Sequence, residues 1–228
     1  MNRATRFLLL SLVSCVGILA LLIPPLFAQE VVIAQLGDSV GQSAVNRGTT
    51  DQTFQSSITW IGDNSTPQLT FARGGWTLQE MLEGRNTFGP ELNGLVHHVV
   101  NPIYPAPDVV YILGGYNDAA QARSDKELAT RFQNLVAMVD LIEATWNSKI
   151  FIANLTNFPA DRMWSHRQQN VELYNELLDD FVVARPNTVL VDNNSVVTDD
   201  LVSSDGLHLT REGQVLIGEH FALSLIHI

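Results

Sequence analysis

From Val31 to Asp192 the chain alternates short apolar runs with longer stretches in which apolar residues recur at helical spacing. Few folds accept that pattern. An apolar run without alternation is buried on both faces, as a strand is when helices cover both sides of a parallel sheet. Residues 31–36, 68–73, 108–113, 149–155 and 188–192 are the expected strands. A first helix is expected around Phe54, Ile58 and Ile61, although residues 57–61 also suit a strand. Further helices are expected over 77–83, 125–146 and from the end of the 156–165 loop to about 184, with a closing helix from Thr210. The expectation is an α/β protein: a three-layer α/β/α, flavodoxin-like arrangement on a parallel five-stranded sheet. No repeat, low-complexity segment or linker marks a second domain, so residues 29–222 are expected to form one.

In open α/β sheets ligands bind beyond the carboxyl ends of the strands. Polar clusters fall there in sequence: Gly37-Asp38-Ser39 after the first strand, Gly74-Gly75-Trp76-Thr77 after the second and Gly115-Tyr116-Asn117-Asp118 after the third. Asp205-Gly206-Leu207-His208 precedes the closing helix. Acyl transfer needs a nucleophile, a base, a group that orients the base, and donors for the developing oxyanion. Ser39 offers a hydroxyl on a Gly-flanked turn. His208 can take and return a proton, and Asp205 can hold the other ring nitrogen. Oxyanion donors are expected from the backbone N–H groups of Ser39 and Gly75 and from the Asn117 side-chain amide. Each cluster alone has a plainer reading. Gly-Asp-Ser is commonly a turn, Asn117 and Asp118 commonly cap a helix, and Asp38 can simply hydrogen-bond its own turn.

Taken together, Gly37-Asp38-Ser39-Val40, Gly75, Gly115-Tyr116-Asn117-Asp118 and Asp205-Gly206-Leu207-His208 resemble the blocks of SGNH (GDSL-like) hydrolases. The resemblance implies a serine ester hydrolase with the roles just given and the three-layer sheet. Val40 and Leu209 depart from the commoner family residues without removing a reacting group. The layout is most similar to secreted carbohydrate esterases that remove acetyl groups, which implies a polysaccharide or small-molecule ester as substrate and no cofactor. Lipid esterase or lysophospholipase activity, and acyl transfer to an alcohol, use the same residues and stay open. A carbohydrate-binding module without turnover is the reading from another class, and it conflicts with the intact Ser39–His208 set.

Composition narrows the partners. The chain has 13 basic and 24 acidic side chains, a formal net charge of -11, and no Lys/Arg cluster, which argues against nucleic acid. His97-His98 would point apart on a helix, so no metal is expected. Trp76 and Trp164 are candidate platforms for sugar rings, with core packing as the plainer reading of each. Asn64 and Asn154 begin glycosylation sequons, a pattern common by chance.

Arg3 and Arg6 precede an uncharged stretch from Phe7 to Phe27, with Pro24 and Pro25 close to its end. Residues 1–28 therefore have the layout of a secretory signal, with an uncleaved membrane anchor as the rival, and the protein is expected to be exported. Cys15 is the only cysteine. Cleavage after Ala28 would leave neither a disulfide nor a thiol nucleophile. Residues 223–228 (LSLIHI) resemble a translated sequencing adapter and are expected to be an artefact, the alternative being a natural helix end.

Overall fold

The computed structural model describes residues 31–42, 68–85, 94–100 and 106–226, all within the compact unit Val31–Ile228. The expected signal segment, the helix around Phe54 and Asn64 lie outside the described residues.

Five parallel strands form one sheet in the order β2-β1-β3-β4-β5. They are β1 (Ile33–Gly37), β2 (Gln68–Ala72), β3 (Val109–Leu113), β4 (Lys149–Ala153) and β5 (Thr188–Val191). β1 and β3 are buried along their whole length, as continuous apolar runs require when both faces are covered. Register is continuous across the sheet, with Leu36 opposite Phe71 on one side and Ile112 on the other.

The helices are α1 (Ser39–Gln42), α2 (Leu78–Glu83), α3 (Leu95–Val100), α4 (Tyr116–Gln121), α5 (Asp125–Thr145), α6 (Gln168–Val183) and α7 (Arg211–Ile226). α5 starts where Ser124 accepts a hydrogen bond from the Glu127 N–H, a side-chain cap for an otherwise orphan donor. Its buried stripe is Leu128, Phe132, Leu135, Met138, Val139 and Ile142. α5 packs against α2 and α6. Phe221 of α7 stacks on Tyr111 with ring centroids 4.0 Å apart and meets Phe151 edge-on. Those two strand residues are register partners, so α7 covers their face of the sheet. The three layers follow.

The short helices α1, α3 and α4 were not expected from periodicity, because one turn or two carries no repeat. α7 continues through Ile226, and Leu225 packs against the core. No helix among the described residues is long and apolar enough to cross a membrane.

The chain runs from β1 to a neighbour on one side and later to β3 on the other, so the winding reverses between β1 and β3. Crevices open at such a point. Ser39 follows the first of these strands and Asn117 the second.

Candidate active site

The turn after β1 leaves no room for a side chain at Gly37, where a Cβ would stand 2.6 Å from the Leu113 carbonyl. Ser39 opens α1 directly behind that close contact, and its own N–H lies in the first helical turn, which has no intrahelical acceptor. Its side chain is nearly buried, yet the hydroxyl donates to His208 Nε2 at 2.9 Å. On the far side of the ring, His208 Nδ1 donates to Asp205 Oδ2 at 2.5 Å. The carboxylate cannot donate, so it selects the tautomer with its proton on Nδ1 and leaves Nε2 as the acceptor. The structure thus brings three expected site residues into one line across 169 positions of sequence.

The loop carrying the base is held from within. Ser203 N–H donates to the His208 carbonyl at 2.7 Å, and Val202 and Leu209 form an antiparallel bridge. Asp205 Oδ1 accepts from the Ser203 hydroxyl, the Leu207 N–H and the His208 N–H at 2.7, 3.0 and 3.0 Å. Partial burial opposes ionisation of Asp205, but these bonds and the one from His208 outweigh it and hold the carboxyl well below the usual carboxylate range. Gly206 has φ +72°, and a Cβ there would collide with Arg162. The loop 156–165 therefore packs on the loop that carries Asp205 and His208.

Gly75 is exposed, with φ +77° and no atom within 4 Å of where a Cβ would lie. Its carbonyl accepts from Arg85 Nη2 at 3.0 Å, and Arg85 is paired with Glu80. Glu80 also closes a capping box with Thr77 at the start of α2. The Asn117 amide donates to the Trp76 carbonyl at 2.9 Å. An amide nitrogen has two protons, so one remains for a ligand. The second and third loops are therefore bonded to each other.

Trp76 corrects an expectation. It is 3% exposed and part of the core, so it has no face for a sugar ring. Trp164 is half-buried and lies parallel to His166, with ring centroids 6.4 Å apart. Asn154 is also excluded from glycosylation in the folded chain: its amide donates to Asp192, its carbonyl accepts from the Asn194 N–H, and it is 6% exposed. His98 packs its ring on Phe71. Among the described residues no group of three His, Cys, Asp or Glu side chains could hold a metal.

Two buried carboxylates were underrated by the sequence reading. Asp38 Oδ1 accepts from the Val40 N–H at 2.9 Å, and Oδ2 from the Gly115 and Tyr116 N–H groups at 3.2 and 3.1 Å. Asp118 caps a helix other than its own, accepting from the Leu78 N–H at 2.8 Å. Burial pushes Asp38 up to about 6 against its three backbone donors and His208. It pushes Asp118 up to about 7 against the Leu78 N–H and Arg131. In the unfolded chain such groups titrate near 3.9, so between about pH 4 and 7 the folded state holds more protons. Stability should therefore fall as pH rises through that window, by at most about 1.4 kcal/mol per pH unit for each group. Asp205 acts in the opposite sense, and its contribution is lost only as pH falls below its unfolded value. Calorimetric Tm values from pH 4 to 8 should show a shallower decline in Asp118→Asn than in the native chain. Equal slopes would refute the assignment.

The GDSL-like Lipase/Acylhydrolase family matches residues 36–216 of this chain. No curated protein matches it by sequence. Among solved structures, the lipase/acylhydrolase of Enterococcus faecalis superposes with TM-score 0.66 at 20% identity, over 86% of this chain and 95% of its own. A GDSL-like lipase of Bacteroides thetaiotaomicron gives 0.62 at 18% identity, over 91% and 93%. A carbohydrate esterase family 3 protein of Talaromyces cellulolyticus gives 0.60 at 17%, over 86% and 97%. At such identities these likenesses speak for the shared fold, and it is the match over 36–216 that carries the conclusion: this chain belongs to the GDSL-like lipase/acylhydrolase family and is an ester hydrolase.

Proposed function

We propose that the chain removes short acyl groups, acetyl above all, from a carbohydrate alcohol through an acyl-Ser39 intermediate. One observation carries the mechanism: the continuous relay from Ser39 Oγ through His208 to Asp205, at 2.9 and 2.5 Å. As Oγ attacks the ester carbonyl carbon, its proton passes to Nε2, and Asp205 stabilises the imidazolium that forms. The carbonyl oxygen becomes an oxyanion received by the Ser39 and Gly75 N–H groups and the remaining Asn117 proton. Collapse expels the alcohol, which takes the proton from Nε2. Water then attacks the acyl-serine with His208 again as base, releasing the carboxylic acid and restoring Ser39.

The short acyl preference is supported by the loop after the third strand, where residues 119–125 (AAQARSD) supply no large apolar side chain to line a broad groove. The net charge of -11 gives no attraction to an anionic lipid surface. The similar fold of a carbohydrate esterase favours a sugar alcohol. With Trp76 withdrawn, Trp164 is the remaining aromatic candidate for stacking on a ring. The charge pattern of residues 1–28 supports export, and N-terminal sequencing of the secreted product should begin at Gln29.

The test is kcat/KM for nitrophenyl acetate, butyrate, octanoate and palmitate, together with acetate release from acetylated xylan. Acetate should exceed octanoate by roughly tenfold or more, the discrimination that a few methylenes can supply. Faster octanoate or palmitate turnover without polysaccharide deacetylation would overturn the proposal in favour of a lipid esterase.

A further inference from the structure

We infer that Asp38 and Asp118 are positioning residues that set the oxyanion donors against Ser39. The expected donors come from three separate loops, and nothing in the covalent chain fixes their mutual distances. Asp38 joins two of these loops. One carboxylate oxygen takes the N–H of Val40, beside the nucleophile, and the other takes the N–H groups of Gly115 and Tyr116, beside Asn117. Asp118 joins the third, since it follows Asn117 in the chain and accepts from Leu78 N–H, which opens α2 just after Gly75-Trp76-Thr77. The Asn117 bond to the Trp76 carbonyl is a second tie between those same two loops. Both carboxylates are essentially buried, Asp38 at 0% and Asp118 at 1% exposed. Gly115 leaves no freedom of its own: it has φ +113°, and a Cβ would stand 2.7 Å from the Tyr174 ring.

The two groups differ in what an amide can replace. Asp38 accepts three N–H donors on two oxygens, so an amide nitrogen there must face an N–H and break one side of the tie. Asp118 accepts one hydrogen-bond donor, Leu78 N–H, while its other oxygen lies 3.8 Å from Arg131 Nη1. An asparagine can keep the Leu78 bond.

The inference rests on the oxyanion roles proposed above, and the experiment separates the two. Asp38→Asn, Asp118→Ala and Asp118→Asn are assayed with nitrophenyl acetate, each alone and combined with Asn117→Ala, in variants with a cooperative thermal transition. Asn117→Ala alone should lower kcat about 100-fold, the loss typical of one oxyanion donor. If it does not, the oxyanion reading itself fails. Asp38→Asn and Asp118→Ala should each lower kcat by about the same factor with KM within about threefold, whereas Asp118→Asn keeps kcat within about threefold. On the Asn117→Ala background the further loss should shrink below about tenfold, because the donors act as one unit. Full additivity, an undiminished kcat in Asp38→Asn, or an Asp118→Asn as impaired as Asp118→Ala would overturn the inference. If only one of Asp38→Asn and Asp118→Ala folds, that one decides. If neither folds, the carboxylates serve the fold alone and the inference is wrong.

Discussion

Ser39→Ala is expected to lower kcat for nitrophenyl acetate by about 10⁴-fold or more, the loss typical of a missing nucleophile in a Ser-His-Asp site. Removing Oγ deletes the atom that would form the acyl-enzyme bond, and no other hydroxyl bonds to His208 Nε2 among the described residues. The rest of the machinery stays in place, so any residual rate would come from water activated by His208 and from the oxyanion donors. Stability should hardly change. The variant loses one hydrogen bond of Ser39 Oγ, worth about 1 kcal/mol, and keeps the backbone ties through Asp38. Circular dichroism and thermal melting check the fold, and labelling by an organophosphonate checks the nucleophile. A folded variant that retains a tenth of the activity, or still takes up the label at its native rate, would refute the assignment of Ser39.

His208→Ala should cost as much, on the order of 10⁴-fold or more, because it removes the group that takes the Ser39 proton and returns it to the leaving alcohol. Asp205→Asn should cost less than His208→Ala but still about 10²- to 10⁴-fold. Three donors converge on Oδ1 of Asp205, from Ser203, Leu207 and His208, so the amide oxygen of an asparagine must occupy that site. Its NH₂ is then forced to face His208 Nδ1. The ring must accept there and carry its proton on Nε2, toward Ser39, where it cannot act as base. The kcat/KM values of the two variants with nitrophenyl acetate, measured side by side, test this order. An Asp205→Asn enzyme at native rate would show that Asp205 neither selects the tautomer nor stabilises the imidazolium.

The strands and the long helices were legible because burial on both faces leaves an unbroken apolar run and burial on one helical face leaves a 3.6-residue repeat. Their expected ends were off by a residue or two, as at β1, which begins at Ile33 rather than Val31. The four polar clusters were legible as a set because each stands at a loop where a ligand can be reached. Trp76 was misjudged for a specific reason. Its neighbour Gly75 is exposed, but the turn that follows points the next residue into the core. Asp118 caps a helix, as its residue type suggests, but the helix is α2, whose start lies 40 residues earlier and is not legible from local sequence.

The sequence by itself determined the layered architecture and the parallel sheet and marked Ser39, Asp205 and His208 as candidates, because those depend on local apolar patterning and on short motifs. Only the tertiary structure decided which atoms meet. His208 reaches Ser39 across 169 residues, Asp38 collects donors from two residues 77 and 78 positions away, and Trp76 turns inward. Such contacts are set by strand order and by the close packing of loops at the sheet's carboxyl edge. No periodicity along the chain records them, since a buried polar group is satisfied by whatever partner the fold brings within reach.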